Sequence, residues 1–122
     1  MNIKDVLKNK EFQLLTAFSE DEIKWLNNRI GTRKDGKVGV ECIVRGLNRD
    51  GDYFELKPEE VVRQLFAYQL IEKYHYPKEL LEFEVLTTFA GREKIIDKRI
   101  DIAIYQNKNK KKITTIIECK RP

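Results

Sequence analysis

Residues 98–105, KRIDIAIY, and residues 113–120, ITTIIECK, are two apolar runs, each interrupted by charge at regular places. Side chains on a strand alternate between its two faces. Arg99, Asp101, Ala103 and Tyr105 therefore share one face of the first run, with Ile100, Ile102 and Ile104 on the other. In the second run Ile116, Glu118 and Lys120 share a face. If the strands pair with Asp101 on the side of Glu118 and Lys120, two carboxylates and an ammonium converge, and the isoleucine row packs on the layer away from them. That set is the minimum for holding a hard divalent cation by oxygen ligands and placing positive charge beside a phosphate.

The spacing Glu-x-Lys is not distinctive by itself, because Glu22/Lys24 and Glu55/Lys57 repeat it. The first copy falls in an amphipathic helical pattern, where residues two apart do not face each other. The second leads into Pro58, which favours an extended chain before a helix start, and no acid-bearing apolar strand precedes it. Only Glu118/Lys120 has both a β-rich run and a neighbouring acidic strand.

The chain has 122 residues, enough for one domain with a single core. Its composition is that of a globular protein, with no low-complexity tract. No run is long enough to span a bilayer and the N-terminus lacks a signal-peptide core, so a cytoplasmic location and no membrane partner are expected. Cys42 and Cys119 each lie in an apolar run, which favours buried reduced thiols over a disulfide or zinc site. The net charge of +4 leans toward an anionic partner. Lys108, Lys110, Lys111 and Lys112 crowd into one turn. The plain reading is a solvated hairpin tip that keeps strand edges soluble. The functional one is a clamp on the nucleic-acid backbone.

Ser19 followed by Glu22 is a capping box, opening a short helix through about Arg29 with Ile23, Leu26 and Ile30 at helical spacing. Residues 31–36 read as a turn, 37–45 as a strand, and 48–52 (NRDGD) as a tight turn, giving a hairpin between 38–45 and 53–56. Pro58 at a first helical position, with Glu59 and Glu60 behind it, starts a long helix to about Tyr74. Val62, Phe66, Leu70 and Tyr74 form its apolar stripe, widened by Val61, Leu65 and Tyr68. His75, the sole histidine, reads as a helix-end residue rather than a catalyst. Strands at 81–89, 98–105 and 113–120 with short connections predict an antiparallel meander.

In order, KPEEVVRQLF, YPKELLEFEV, RIDIAIY and IIECKRP resemble the PD-(D/E)xK nuclease superfamily and, more narrowly, the N-terminal nuclease domain of the type I restriction enzyme R subunit. The resemblance covers residues 57–122. It implies an α+β, α/β/α-like fold: a restriction-endonuclease-like core with a mixed or antiparallel sheet packed on a long helix. Residues 1–56 would add a helix and β-hairpin to the 57–122 core, within one nuclease domain. The implied activity is Mg²⁺-dependent hydrolysis of DNA phosphodiester bonds, with Mn²⁺ able to substitute, on double-stranded DNA and alongside modification and specificity subunits. Residue by residue, Asp101 corresponds to the metal-binding acid, Glu118 to the second ligand and Lys120 to the catalytic lysine. The backbone carbonyl of Cys119 is a further ligand, and Glu60 matches the helical glutamate that often completes such sites. Gln64, one turn on, either orients Glu60 or touches DNA. Glu84 is a lesser candidate, with a solvent-facing side chain the expectation.

The chain ends two residues after Lys120, where such nucleases continue into another helix and strand, and it holds no GxxxxGK[ST] phosphate loop. The expected core is thus C-terminally incomplete, that of a fragment or of an unusually short stand-alone relative, and an isolated fragment is expected to bind metal yet cut poorly. The alternative from another class is a catalytically idle DNA-binding or assembly module that keeps the nuclease fold. A third is a structural protein whose Glu118 and Lys120 form only a surface ion pair.

Overall fold

The computed structural model of the chain describes residues 2–7, 15–90, 95–110 and 112–119. A short helix α1 (Ile3–Val6) precedes α2 (Glu20–Asn27). The capping box is formed: the Glu22 amide donates to Ser19 Oγ at 3.2 Å and the Ser19 amide to Glu22 Oε1 at 3.0 Å. Both donors would otherwise be orphans of the first turn.

Three short strands follow, β1 (Ile30–Thr32), β2 (Val38–Val40) and β3 (Phe54–Glu55), antiparallel in the order β1-β2-β3. The hairpin between β2 and β3 is present, with Gly39 opposite Glu55 and Val40 opposite Phe54. Two expectations fail here. Ile30, Gly31 and Thr32 form a strand rather than helix end and turn, pairing along β2. The strand expected to run to residue 45 stops at Val40, because Cys42 and Gly46 exchange backbone hydrogen bonds at 2.8 Å each across a tight turn. Gly46 takes a φ of 72° there, open to glycine without strain. Tyr53 lies across the sheet so closely that a Cβ on Gly39 would sit 2.4 Å from its Cβ.

Helix α3 (Pro58–Glu72) begins with Pro58 at its first position. It ends where His75 enters the left-handed region at φ 60° and the Tyr76 amide returns to the Leu70 carbonyl at 2.9 Å. A 3-10 turn (Lys78–Leu80) leads into β4 (Leu81–Ala90), β5 (Ile95–Tyr105) and β6 (Ile113–Ile117), an antiparallel meander in that order, as expected. The last strand stops at Ile117, short of residue 120. The architecture is α+β: helices with two small antiparallel sheets.

Helix α3 serves both halves. Val61 and Leu65 close one core with α1, α2, Val40 and Leu56. Val62 and Ala67 close a second with Leu81, Phe83, Ile102, Ile104 and Cys119. A helix covered on two sides buries neighbouring positions rather than a single stripe, so Phe66 and Tyr74 of the expected stripe are exposed. The isoleucine row is likewise corrected: Ile102 and Ile104 pack toward α3, the helix that carries Glu60, instead of away from the site. Among the described residues no helix is long and apolar enough to cross a membrane.

Candidate functional site

Phe83 pairs with Ile102 and Val85 with Ile100, which sets Glu84 opposite Asp101 at the one place where the β4–β5 ladder is interrupted. Glu84 has a φ of 57°, a left-handed conformation that costs a side-chain-bearing residue roughly 1–2 kcal/mol. Residues held this way gather at functional sites. The first turn of α3 adds Glu60 and, one turn on, Arg63, while the Cys42–Gly46 turn supplies Arg45.

Arg63 is the hub. Its Nη1 lies 2.7 Å from Glu60 Oε2 and 3.0 Å from Glu84 Oε1, and its Nη2 lies 3.2 Å from Asp101 Oδ1. Arg45 reaches Glu84 Oε2 at 3.2 Å and Glu60 Oε1 at 3.7 Å, its guanidinium 4.1 Å from the Phe54 ring centroid. Charge-assisted pairs of this kind are the stronger hydrogen bonds. Burial works against the charge of each guanidinium, yet both arginines are held above their ordinary pKa, Arg45 by Cys42 first and then by Glu60 and Glu84, Arg63 by Glu60 first and then by Glu84 and Asp101. Together they line a cleft of about 380 Å³ with Arg45, Phe54, Glu60, Arg63, Glu84 and Asp101 among its walls.

The supports are backbone groups and one amide. Gln64 is fully buried: its Nε2 donates to Glu60 Oε1 at 3.0 Å and its Oε1 accepts from the Ile43 amide at 2.9 Å, tying α3 to the turn that bears Arg45. The Gln64 side chain has no exposed surface and is spent on these two hydrogen bonds. Asp101 Oδ2 accepts from the Cys119 amide at 2.7 Å. Burial first, and then the charge of Asp101, push the Cys119 thiol up to about 12.

Of the residues picked out by sequence, Glu60, Gln64, Asp101 and Cys119 come together here. The register that pairs Ile102 with Ile117, carried one residue further, puts Glu118 opposite Asp101, and the Cys119 amide bond keeps the chain alongside β5 at that point. Glu118 itself is exposed. Lys120 and Lys111 lie outside the described residues. Lys108, Lys110 and Lys112 are exposed in the turn after Tyr105, four residues past Asp101 and so about 13 Å along the strand from it. There the Gln106 amide bonds the Lys112 carbonyl at 2.9 Å, and Lys110 Nζ lies 3.8 Å from Glu82. His75 is exposed at the helix end. Glu84, expected to face solvent, instead turns into the arginine pair.

Arg45 and Arg63 were not singled out from the sequence. The one signal for Arg63 was its place three residues after Glu60 on a helix. Among the described residues no three His, Cys, Asp or Glu side chains are arranged to hold a metal ion, and Glu60, Glu84 and Asp101 are turned to guanidiniums instead. The donors that suit a small hard cation are the carboxylates of Asp101 and Glu118 and the carbonyl of Cys119, all oxygen, and the Cys119–Asp101 hydrogen bond brings their two chain segments together.

No curated protein and no solved structure matches the chain. A family model, that of the type I restriction enzyme R protein N terminus, matches residues 58–122. The matched segment starts with α3 and holds Glu60, Arg63, Glu84, Asp101 and Cys119, while Arg45 and the first sheet precede it. Since it spans more than half of the 122 residues, the chain belongs to the family of type I restriction enzyme R protein N-terminal domains.

Proposed function

We propose that the chain is a nuclease domain of a restriction system that hydrolyses DNA phosphodiester bonds with Mg²⁺, Mn²⁺ serving in its place. The observation that carries this reading is the hydrogen bond from the Cys119 amide to Asp101, which draws the acid of β5 and the Glu118-bearing segment to one spot beside the cleft. Asp101, Glu118 and the Cys119 carbonyl would hold the ion, which when bound supplies Lewis-acid relief of charge at the phosphate. The chain's own residues do the rest. The Cys119 amide fixes the Asp101 carboxylate, and Gln64 fixes Glu60. Lys120 adds positive charge beside the scissile group without requiring an imidazole. Lys108, Lys110, Lys111 and Lys112 add sequence-independent attraction to duplex DNA. The modification and specificity subunits of such systems are the partners that go with this role.

Plasmid nicking in Mg²⁺ or Mn²⁺, against chelator controls, tests it. Asp101→Asn, Glu118→Gln and Lys120→Ala should each cut at least about a hundredfold more slowly, the scale on which removing one electrostatic contributor acts. Nicking that survives all three substitutions removes the assignment. A second reading, an idle DNA-binding or assembly module, draws on the closure of Glu60, Glu84 and Asp101 around Arg63. It predicts salt-sensitive DNA binding with no metal-dependent cleavage, weakened by changing Lys110 to Lys112 and indifferent to the acids.

A further inference from the structure

We propose that Arg63 is a resident counter-cation for Glu60, Glu84 and Asp101, which a divalent ion and a nucleic-acid phosphate displace together: the ion takes the carboxylates as the phosphate takes the guanidinium. This rests on the nuclease reading above and extends it to the order and coupling of binding.

Three observations support the exchange. Arg63 is tied to all three acids, yet the ties are uneven: Nη1 serves both Glu60 and Glu84, Nη2 serves Asp101, and Nε, buried, has no acceptor among the described residues. A side chain only 7% exposed that keeps an unused donor in a polar cleft offers a position for an acceptor. Secondly, charge is not balanced. Three carboxylates face the two guanidiniums of Arg45 and Arg63, leaving one negative charge over, and Glu118 on the neighbouring segment adds another, so the acids call for more positive charge than Arg63 alone supplies. Thirdly, Glu84 joins this group only through a left-handed backbone at the ladder's interruption, so strain is maintained to keep a third acid aimed at the same point.

Phosphate is the natural acceptor for the released side chain. The planar fork of a guanidinium matches two phosphate oxygens, better than it matches three carboxylates arriving from different directions. Arg63 also lines the open cleft, so a ligand there comes up against its side chain. Ion and DNA would then each weaken the interactions that oppose the other, and linkage requires their affinities to rise by the same factor.

Calorimetric titration of Mn²⁺ into the full chain tests this, with and without a phosphorothioate duplex that resists cleavage, the heat of Mn²⁺ on the duplex alone being subtracted. For the wild type the duplex should tighten Mn²⁺ binding about tenfold, within the usual range of such couplings. Arg63→Met should bind Mn²⁺ more tightly than wild type without DNA and lose the coupling. A folded Arg63→Met with wild-type Mn²⁺ affinity and wild-type coupling overturns the exchange while leaving the nuclease reading in place. Failure of the wild type to take up Mn²⁺ in either condition overturns both. Should Arg63→Met not fold, the wild type decides by NMR: the Arg63 Nε–H resonance must shift and change its solvent exchange when Mg²⁺ and duplex are added. A resonance that stays put under saturating ion and duplex ends the proposal.

Discussion

Cys119 carries two loads at once, its amide holding Asp101 and its thiol filling the second core. The thiol's pKa rises from an ordinary 9.0 to about 12, by burial first and by the neighbouring Asp101 next. A raised pKa means that the folded chain keeps this proton longer than the unfolded one. The stability it contributes is complete below about pH 9 and is lost as pH climbs toward 12. Denaturant titrations across that window should therefore show wild type losing stability more steeply than Cys119→Ser, and equal slopes would assign the loss to other groups. Asp101 was legible in the sequence because an acid inside a row of isoleucines has to be accounted for. Glu60 was ambiguous, since the helix dipole alone favours an acid in a first turn. Arg45 and Arg63 gave no such signal: with 24 Lys and Arg in 122 residues, a single arginine does not stand out, and only the fold shows which ones meet the acids.

At the scale of elements, β4 carries a side-chain-bearing residue, Glu84, in the left-handed region. Glu84→Gly and Glu84→Ala both delete the carboxylate and its two arginine partners, so their difference isolates the backbone. Glycine should leave the protein about 1 kcal/mol more stable than alanine, the reverse of the order in a regular strand. Urea unfolding of the two variants measures this, and an alanine variant at least as stable as the glycine one would mean that the left-handed turn is not maintained in solution. Helix α3 was readable at both ends, from Pro58 at its start to Pro77 beyond its close. The meander was readable from alternation and short connections. The strand predicted through residue 45 was not, because ECIVR alternates well enough for a strand while Gly46 allows the tighter turn that Cys42 closes. The orientation of Glu84 was equally hidden, since alternation assumes a regular backbone and its φ breaks that assumption.

For the whole molecule, the two sheets share α3, and the cleft opens where that helix begins. The lysine turn after β5 lies apart from it, so under the proposed nuclease reading the two contribute to DNA binding in different ways. Neutralising Lys108, Lys110 and Lys112 together should weaken binding to any duplex alike and flatten the dependence of log K on log salt by about 0.9 for each phosphate no longer neutralised. Fluorescence anisotropy at several salt concentrations reads this directly, and an unchanged slope would leave those lysines as solubilising charges only. The division of the chain also bears on how relatives of this domain can differ. Arg45 reaches the acids from a tight turn upstream of the family-matched segment, pinned to α3 by Gln64. Exchanging that short loop would change the positive charge set against Glu60 and Glu84 without altering a residue of the family-matched segment, an adjustment dial mounted outside the part it adjusts.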